Sequence, residues 1–167
     1  RSAEVTMTVP GAIKALEKLA DALGDKMVLG AGTVLDPETA RACILAGAQF
    51  LVTPALKVST IEVAHRYSKI ICPGSLTPTE VLTAWEAGAD FVKVFPCSNM
   101  GGASYIKALK GPFPQIEMIP TGGVNLNTAA DFLKAGSSAV AVGSELIDAQ
   151  TIKDGKYEVF EERARQF

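Results

Sequence analysis

"EAGADFVKVFP", residues 86–96, decides the fold. A helical pattern ends at Ala87-Gly88, and an apolar strand pattern from Phe91 to Phe95 follows at once. Gly88 fits the left-handed position that stops a helix. The same plan recurs in "LAGAQFLVTP" (45–54) and "KAGSSAVAVGS" (134–144), with Gly47 and Gly136 in the equivalent place. A strand-plus-helix unit takes roughly 20–25 residues, so two units fit in each interval.

Working outward, strands are predicted near 3–9, 27–31, 50–53, 69–72, 90–95, 116–120 and 138–142. Helices are predicted near 11–23, 37–46, 58–67, 78–87, 102–110, 126–135 and 154–165. Asp36-Pro37 and Thr77-Pro78 each pair a capping residue with proline at the first helical position. Thr77 with Glu80, and Ser59 with Glu62, have the spacing of a capping box. Helix 11–23 places Ile13, Leu16, Ala20 and Leu23 on one face. "SNMGGASYIKALKGPFP" (98–114) reads as a mobile loop followed by a cap and a helix.

Strict alternation of strand and helix means a parallel sheet covered by helices. An open doubly wound sheet and a (β/α)8 barrel compete. The strand faces favour the α/β barrel. Glu4, Thr6 and Thr8 share one face of "EVTMTV", opposite Val5, Met7 and Val9, and Lys93 lies between Phe91 and Phe95 on its own face. A polar interior and an apolar face toward the helices suit a barrel with a site at its mouth. Seven strands are one short of eight, and the chain opens at Arg1 almost directly on a strand. The expectation is one barrel domain over 1–167, without its N-terminal strand–helix unit of roughly 25 residues, and with the Glu4 strand beside the resulting gap.

Composition narrows the function. The 167 residues are 48% hydrophobic and carry a net charge of −2, with no basic patch to suggest nucleic acid or an acidic membrane surface. No apolar run approaches the roughly 18 residues of a membrane span, and "RSAEVTMTVP" has no signal-peptide core. Cys43, Cys72 and Cys97 are far apart and form no CxxC pair, which reads as three reduced, mostly buried thiols in a cytoplasmic protein. One histidine, His65, on a helical stretch reads as a surface residue, and this ligand set argues against a structural metal site. Ser-His-Asp and Cys-His mechanisms have little to draw on.

Lys93 is the residue that calls for explanation, since lysine is almost never fully buried unless paired or used. It either snorkels or pairs with a carboxylate, or it is an amine whose pKa an apolar surround lowers, making it a nucleophile toward ketones. Glu4, a second inward-facing charge, offers a salt-bridge partner and also a general acid/base. "PTGGVN" (120–125) and "VGSEL" (142–146), the latter opening into a short helix, follow the last two expected strands. Such small-residue loops either make tight turns or hold an anion on backbone N–H groups, and that is the usual phosphate position in barrels. In "GAGTV" (30–34), Thr33 either offers its hydroxyl to a carboxylate or turns the chain.

Together these stretches resemble the 2-keto-3-deoxy-6-phosphogluconate (KDPG) aldolases. The resemblance runs from "EVTMTVP" through "GAGTV", "VTPA", "PGSLTPTE", "DFVKVFP", "GGASYIKALKGPFP" and "PTGGV" to "VGSEL". It implies a class I Schiff-base lyase on a (β/α)8 barrel, a homotrimer, and no metal or organic cofactor. Lys93 stands where the Schiff-base lysine stands and Glu4 where the general acid/base stands. Thr33 and Pro54 match the pyruvate pocket, and Phe95 is a further substrate-binding candidate. Thr121, Gly122, Gly123, Gly143 and Ser144 match the region that holds the distal phosphate. Where some members hold the pyruvate carboxylate with an arginine, this chain has Thr8, which shifts that task toward Thr33 and neighbouring amides.

The implied reaction is reversible cleavage of KDPG to pyruvate and glyceraldehyde 3-phosphate. The same chemistry on the galactonate epimer or on 4-hydroxy-2-oxoglutarate is the nearest alternative. An isomerase or synthase with Lys93 as an electrostatic clamp, and a non-catalytic binder of a phosphorylated metabolite, stay open.

Overall fold

A computed structural model describes residues 2–167. The chain forms two compact units, residues 1–93 and 94–167. The first unit alternates strand and helix except that β5 follows β4 directly: β1 (Ser2–Thr6), α1 (Ala12–Leu23), β2 (Val28–Gly32), α2 (Pro37–Leu45), β3 (Phe50–Val52), α3 (Val58–Arg66), β4 (Ile70–Cys72), β5 (Gly74–Ser75), α4 (Pro78–Glu86) and β6 (Val92–Val94), whose last residue opens the second unit. The first four strands form a parallel sheet in the order β1-β2-β3-β4, with β1 at its edge.

Register sorts the side chains of that sheet into two faces. Ala3 and Leu29 lie on one face, with Val5, Ala31, Leu51 and Ile71 aligned one layer further on it, and there Leu29, Leu51 and Ile71 join Leu16, Cys43, Ile61 and Ala64 from the helices in the buried core. Glu4, Gly30, Phe50 and Ile70 align on the other face, with Thr6, Gly32, Val52 and Cys72 one layer further toward the strand ends. The polar face expected from the alternation is present on β1, through Glu4 and Thr6, whereas β2, β3 and β4 bring glycine and apolar side chains to it. Gly30 is glycine for a steric reason, since a side chain there would collide with the Phe50 ring.

The helix stops are as the repeat implies. Gly47 (φ 99°), Gly88 (φ 93°) and Gly136 (φ 101°) take the left-handed conformation. In each case the next amide bonds back five residues: Ala48 N to Cys43 O, Ala89 N to Ala84 O, and Ser137 N to Phe132 O. Asp36 caps α2 by accepting from the Thr39 amide, and Thr77 and Glu80 form the full capping box of α4. The Ser59–Glu62 box does not form. The helix begins at Val58 after Lys57, so Ser59 already sits inside its first turn. On α1, Ala12 and Leu16 are buried while Ile13 faces solvent, so the buried stripe is rotated by one residue at its start.

The second unit holds a 3-10 turn (Ser98–Met100), α5 (Ala103–Lys110), β7 (Met118–Pro120), α6 (Ala129–Lys134), α7 (Ala149–Lys153) and α8 (Glu158–Gln166). The strand expected at 138–142 is reduced to a single parallel bridge, Thr121 with Ala141, flanked by Ser138 N to Met118 O and Ala141 N to Pro120 O. The chain there runs beside β7 without building a ladder. Helix α6 starts three residues later than expected, because the Asn125 side chain accepts from the amides of Asn127 and Thr128 and holds a turn. The helix expected at 154–165 starts at Glu158, after Gly155 (φ 67°); "VGSEL" makes a turn and not the opening of a helix, and a short helix follows only at 149–153 on an Asp148 cap. Strand β1 stops at Thr6, whose carbonyl accepts from Val9 in a turn.

Candidate active site

Lys93 sits in β6 between Val92 and Val94, both fully buried, and is itself 8% exposed. Its amide donates to Pro73 O at 2.9 Å, which sets β6 against β5. Burial lowers the pKa of the Lys93 amine, opposed chiefly by the negative charge of Glu4. Glu4 is solvent-accessible as a residue, but its carboxyl leans along β1 and rests against Gly32. Desolvation raises the pKa of that carboxyl, with Lys93 pulling it back down. Each group is thus pushed toward neutrality by its surroundings and toward charge by the other. Such a pair holds its neutral forms, a free amine and a proton-carrying carboxyl, more readily than an ordinary lysine and glutamate.

Cys72, on the same strand face, was not among the expected site residues. Burial, Asp90 and Glu4 push its thiol up to about 12, so it stands beside the amine as a small neutral group and not as a thiolate. Cys43 and Cys97 are also free and buried, and His65 is exposed on α3, as expected. Among the described residues no group of three or more His, Cys, Asp or Glu could hold a metal ion, and no helix is long and apolar enough to cross a membrane.

Thr33 follows Gly32 with φ 56°. For a β-branched residue that is an outlier costing on the order of 1–3 kcal/mol, which persists only where the surroundings enforce it. Thr8 and Thr33 line one open cavity of about 780 Å³ with Met7, Val9, Ile13 and Leu35. Glu4, Pro54 and Lys93 do not line it, so this cavity does not contain the reacting groups. Pro54 is half-buried, and its carbonyl lies so close to Gly74 that no side chain fits there. Gly74 belongs to β5, the strand beside Lys93. The first unit therefore gathers Glu4, Pro54 and Lys93, with Thr33 following the glycine on which Glu4 rests.

In the second unit Thr121 N donates to Val94 O, and Thr121 O accepts from Cys97 N. The Thr121 hydroxyl is buried and has no hydrogen-bond partner among the described residues. A Cβ on Gly122 (φ 89°) would just touch Phe95, Pro96 and Cys97, and one on Gly123 (φ 76°) would collide with Ser98. The Thr121–Ala141 bridge brings Gly143 and Ser144 to the neighbouring chain end, where Gly143 O accepts from Leu146 N and Ile147 N in a turn. Gly143 differs from the other two: its φ is ordinary and a Cβ there would meet nothing within 4 Å. Phe95 and all five phosphate-region candidates thus lie in one unit, on adjoining chain ends.

Comparison with known proteins gives a consistent family assignment. The family model for KDPG and KHG aldolase matches residues 1–162. The 2-dehydro-3-deoxy-6-phosphogalactonate aldolase of Escherichia coli K12 is 40% identical over 147 residues, 87% of this chain and 71% of that protein. The 2-dehydro-3-deoxy-phosphogluconate aldolase of Pseudomonas aeruginosa is 32% identical over 163 residues, 98% of this chain and 74% of its own length. The crystal structure of the Legionella pneumophila KDPG aldolase, in which pyruvate was captured as a covalent carbinolamine, aligns with a TM-score of 0.89 at 31% identity. That alignment covers 96% of this chain and 78% of that one, and the fold class is accordingly the α/β barrel type expected from the strand faces. By its matched model, its relatives and its fold, the chain belongs to the KDPG and KHG aldolase family.

Proposed function

We propose that this chain is a class I aldolase that reversibly cleaves a phosphorylated 2-keto-3-deoxy hexonate to pyruvate and glyceraldehyde 3-phosphate through a Schiff base on Lys93. The observation that carries the reading is the pairing of a buried, pKa-lowered Lys93 with a pKa-raised Glu4 on the interior face of one unit.

The neutral Lys93 amine attacks the C2 ketone, and loss of water from the carbinolamine gives a protonated imine. Glu4 as carboxylate, through a water, takes the C4 hydroxyl proton. The C3–C4 bond breaks, its electron pair flows into the imine to form an enamine, and the aldehyde leaves. Glu4 then returns the proton to C3, and water hydrolyses the pyruvate imine to regenerate the amine. Thr33 and Pro54 bound the pyruvate end, Phe95 lies beside the carbon chain, and Thr121, Gly122, Gly123, Gly143 and Ser144 hold the phosphate. That remote binding energy positions the reacting carbons.

Both C4 epimers give the same two products. The gluconate epimer is the substrate read from the sequence. The 40% identity to a phosphogalactonate aldolase, against 32% to a phosphogluconate aldolase, favours the galactonate epimer, and 4-hydroxy-2-oxoglutarate is the unphosphorylated member of the set. A homotrimer belongs to the same reading. Trapping with pyruvate and borohydride, followed by peptide mass mapping, tests the mechanism. Label is expected on Lys93 and absent from Lys93→Ala. Label on another lysine, or none on folded protein, would sink it. A kcat/KM panel over the three keto acids then ranks the substrates.

A further inference from the structure

We infer that Thr53 is a positioning residue for the pyruvate end of the site, its buried hydroxyl clasping the Pro54 loop to the strand against which Lys93 is hydrogen-bonded. The inference rests on the Schiff-base reading above.

Thr53 directly follows β3 and is 2% exposed. Its hydroxyl donates to Ala55 O at 2.6 Å and accepts from Gly74 N at 3.1 Å. Its amide donates to Cys72 O at 3.1 Å. One side chain thus fastens the residue after Pro54 to the glycine after Pro73, and the Pro73 carbonyl accepts from the Lys93 amide. Gly74 completes the clasp, because only its missing side chain lets the Pro54 carbonyl lie against it.

The chemistry of the position is narrow. A hydroxyl donates and accepts at once, which the two backbone partners require. Valine has the same shape and does neither, so it would leave the Gly74 N–H unpaired in a buried place. The loop would then swing toward water to satisfy that group and Ala55 O, carrying Pro54 away from the amine. Glu4, whose charge acts on Lys93, would stay where it is.

The measurement is borohydride trapping at increasing pyruvate concentration, with the pH profile of trapping and a thermal melt for each variant. For Thr53→Val the half-saturating pyruvate should rise about tenfold, the size expected for one buried hydrogen bond, while the pH midpoint of trapping stays at the wild-type value. Thr53→Ser keeps the hydroxyl and should return half-saturation to near wild type. Gly74→Ala keeps the Thr53 hydroxyl but displaces the Pro54 carbonyl, and should reproduce the rise. If Thr53→Val does not fold, the Gly74→Ala and Thr53→Ser pair decides. Wild-type half-saturation in folded Thr53→Val or in Gly74→Ala, or a Thr53→Ser protein as impaired as the valine form, would overturn the inference alone. An unlabelled wild type would overturn the Schiff-base reading and this inference with it.

Discussion

The carboxyl of Glu4 occupies the space that a side chain on Gly32 would fill: a Cβ there would come within 2.6 Å of Oε1 and 2.8 Å of Cδ. The two residues lie on adjacent parallel strands, Thr6 and not Glu4 being the register partner of Gly32. The glutamate therefore reaches one layer toward the strand ends, where sites of this architecture form. Gly32→Ala should push the carboxyl away from Lys93 while leaving the amine in place. Cleavage is expected to fall by about tenfold or more, a part of the 10²–10⁴ that general acid–base catalysis supplies. Imine trapping with pyruvate should persist. Equal loss of cleavage and trapping in a folded variant would mean that Gly32 serves the fold and not the carboxyl.

The opposed shifts on Lys93 and Glu4 fix the sign of a pH experiment. Burial lowers the amine pKa, so the free amine is present at lower pH than on an ordinary lysine, and trapping should rise with pH through the lowered value. Glu4 pulls that pKa upward. Removing its charge with Glu4→Gln should therefore move the trapping midpoint to lower pH. Turnover should fall by about 10²-fold or more, because the proton carrier is gone. A midpoint that moves up, or stays, would show that the two groups do not share a field.

These two relationships differ in how far the sequence could show them. Glu4 and Lys93 were legible because strand alternation is local: an inward charge in an apolar run stands out against its neighbours. The three glycine helix stops were legible for the same reason. The Gly32 and Gly74 contacts and the Thr53 clasp join residues of different strands, and no local pattern marks which backbones meet. "GAGTV", "VTPA" and "CPGS" held the right residues without showing that each served another stretch. Ser59 and Glu62 have capping-box spacing, yet the helix starts at Val58, so spacing was met and position was not. The 138–142 segment has strand composition but pairs through only one bridge, which depends on the adjoining chain and not on its own residues.

A fourth helix stop of the same design lacks its glycine. After α3, Ser68 takes φ 54° and Lys69 N bonds to Ala64 O at 2.9 Å, the bond that the glycine stops also make. Ser68→Gly should stabilise the fold by about 1 kcal/mol, the usual cost of a left-handed residue with a Cβ. The reverse substitution should hurt unequally. Gly136→Ala meets only the flexible Lys110 side chain, whereas Gly47→Ala would drive its Cβ against that of Ala20, close to the α1 backbone. Chemical denaturation should rank Gly47→Ala as more costly by about 1–3 kcal/mol, the range for overpacking. Equal losses would remove the steric part of this account.

Gly143 separates folding from binding. Gly122 and Gly123 need glycine for their positive φ, and a Cβ on Gly123 would also collide with Ser98. Gly143 has no such internal reason: its φ is ordinary, it is exposed, and the space around it is open. A glycine there suits close approach of a ligand oxygen to the backbone. Gly143→Ala should leave stability unchanged or raised by ~0.4–1 kcal/mol, because alanine restricts the unfolded chain. It should raise KM for the phosphorylated hexonate by about tenfold, the size of one lost charged hydrogen bond. The effect on 4-hydroxy-2-oxoglutarate, which has no phosphate, should be several-fold smaller. Gly123→Ala should lose stability and phosphate binding together. A Gly143→Ala protein with wild-type KM for the phosphorylated substrate would remove this loop from the phosphate site and leave the Thr121–Gly123 loop to hold the anion alone.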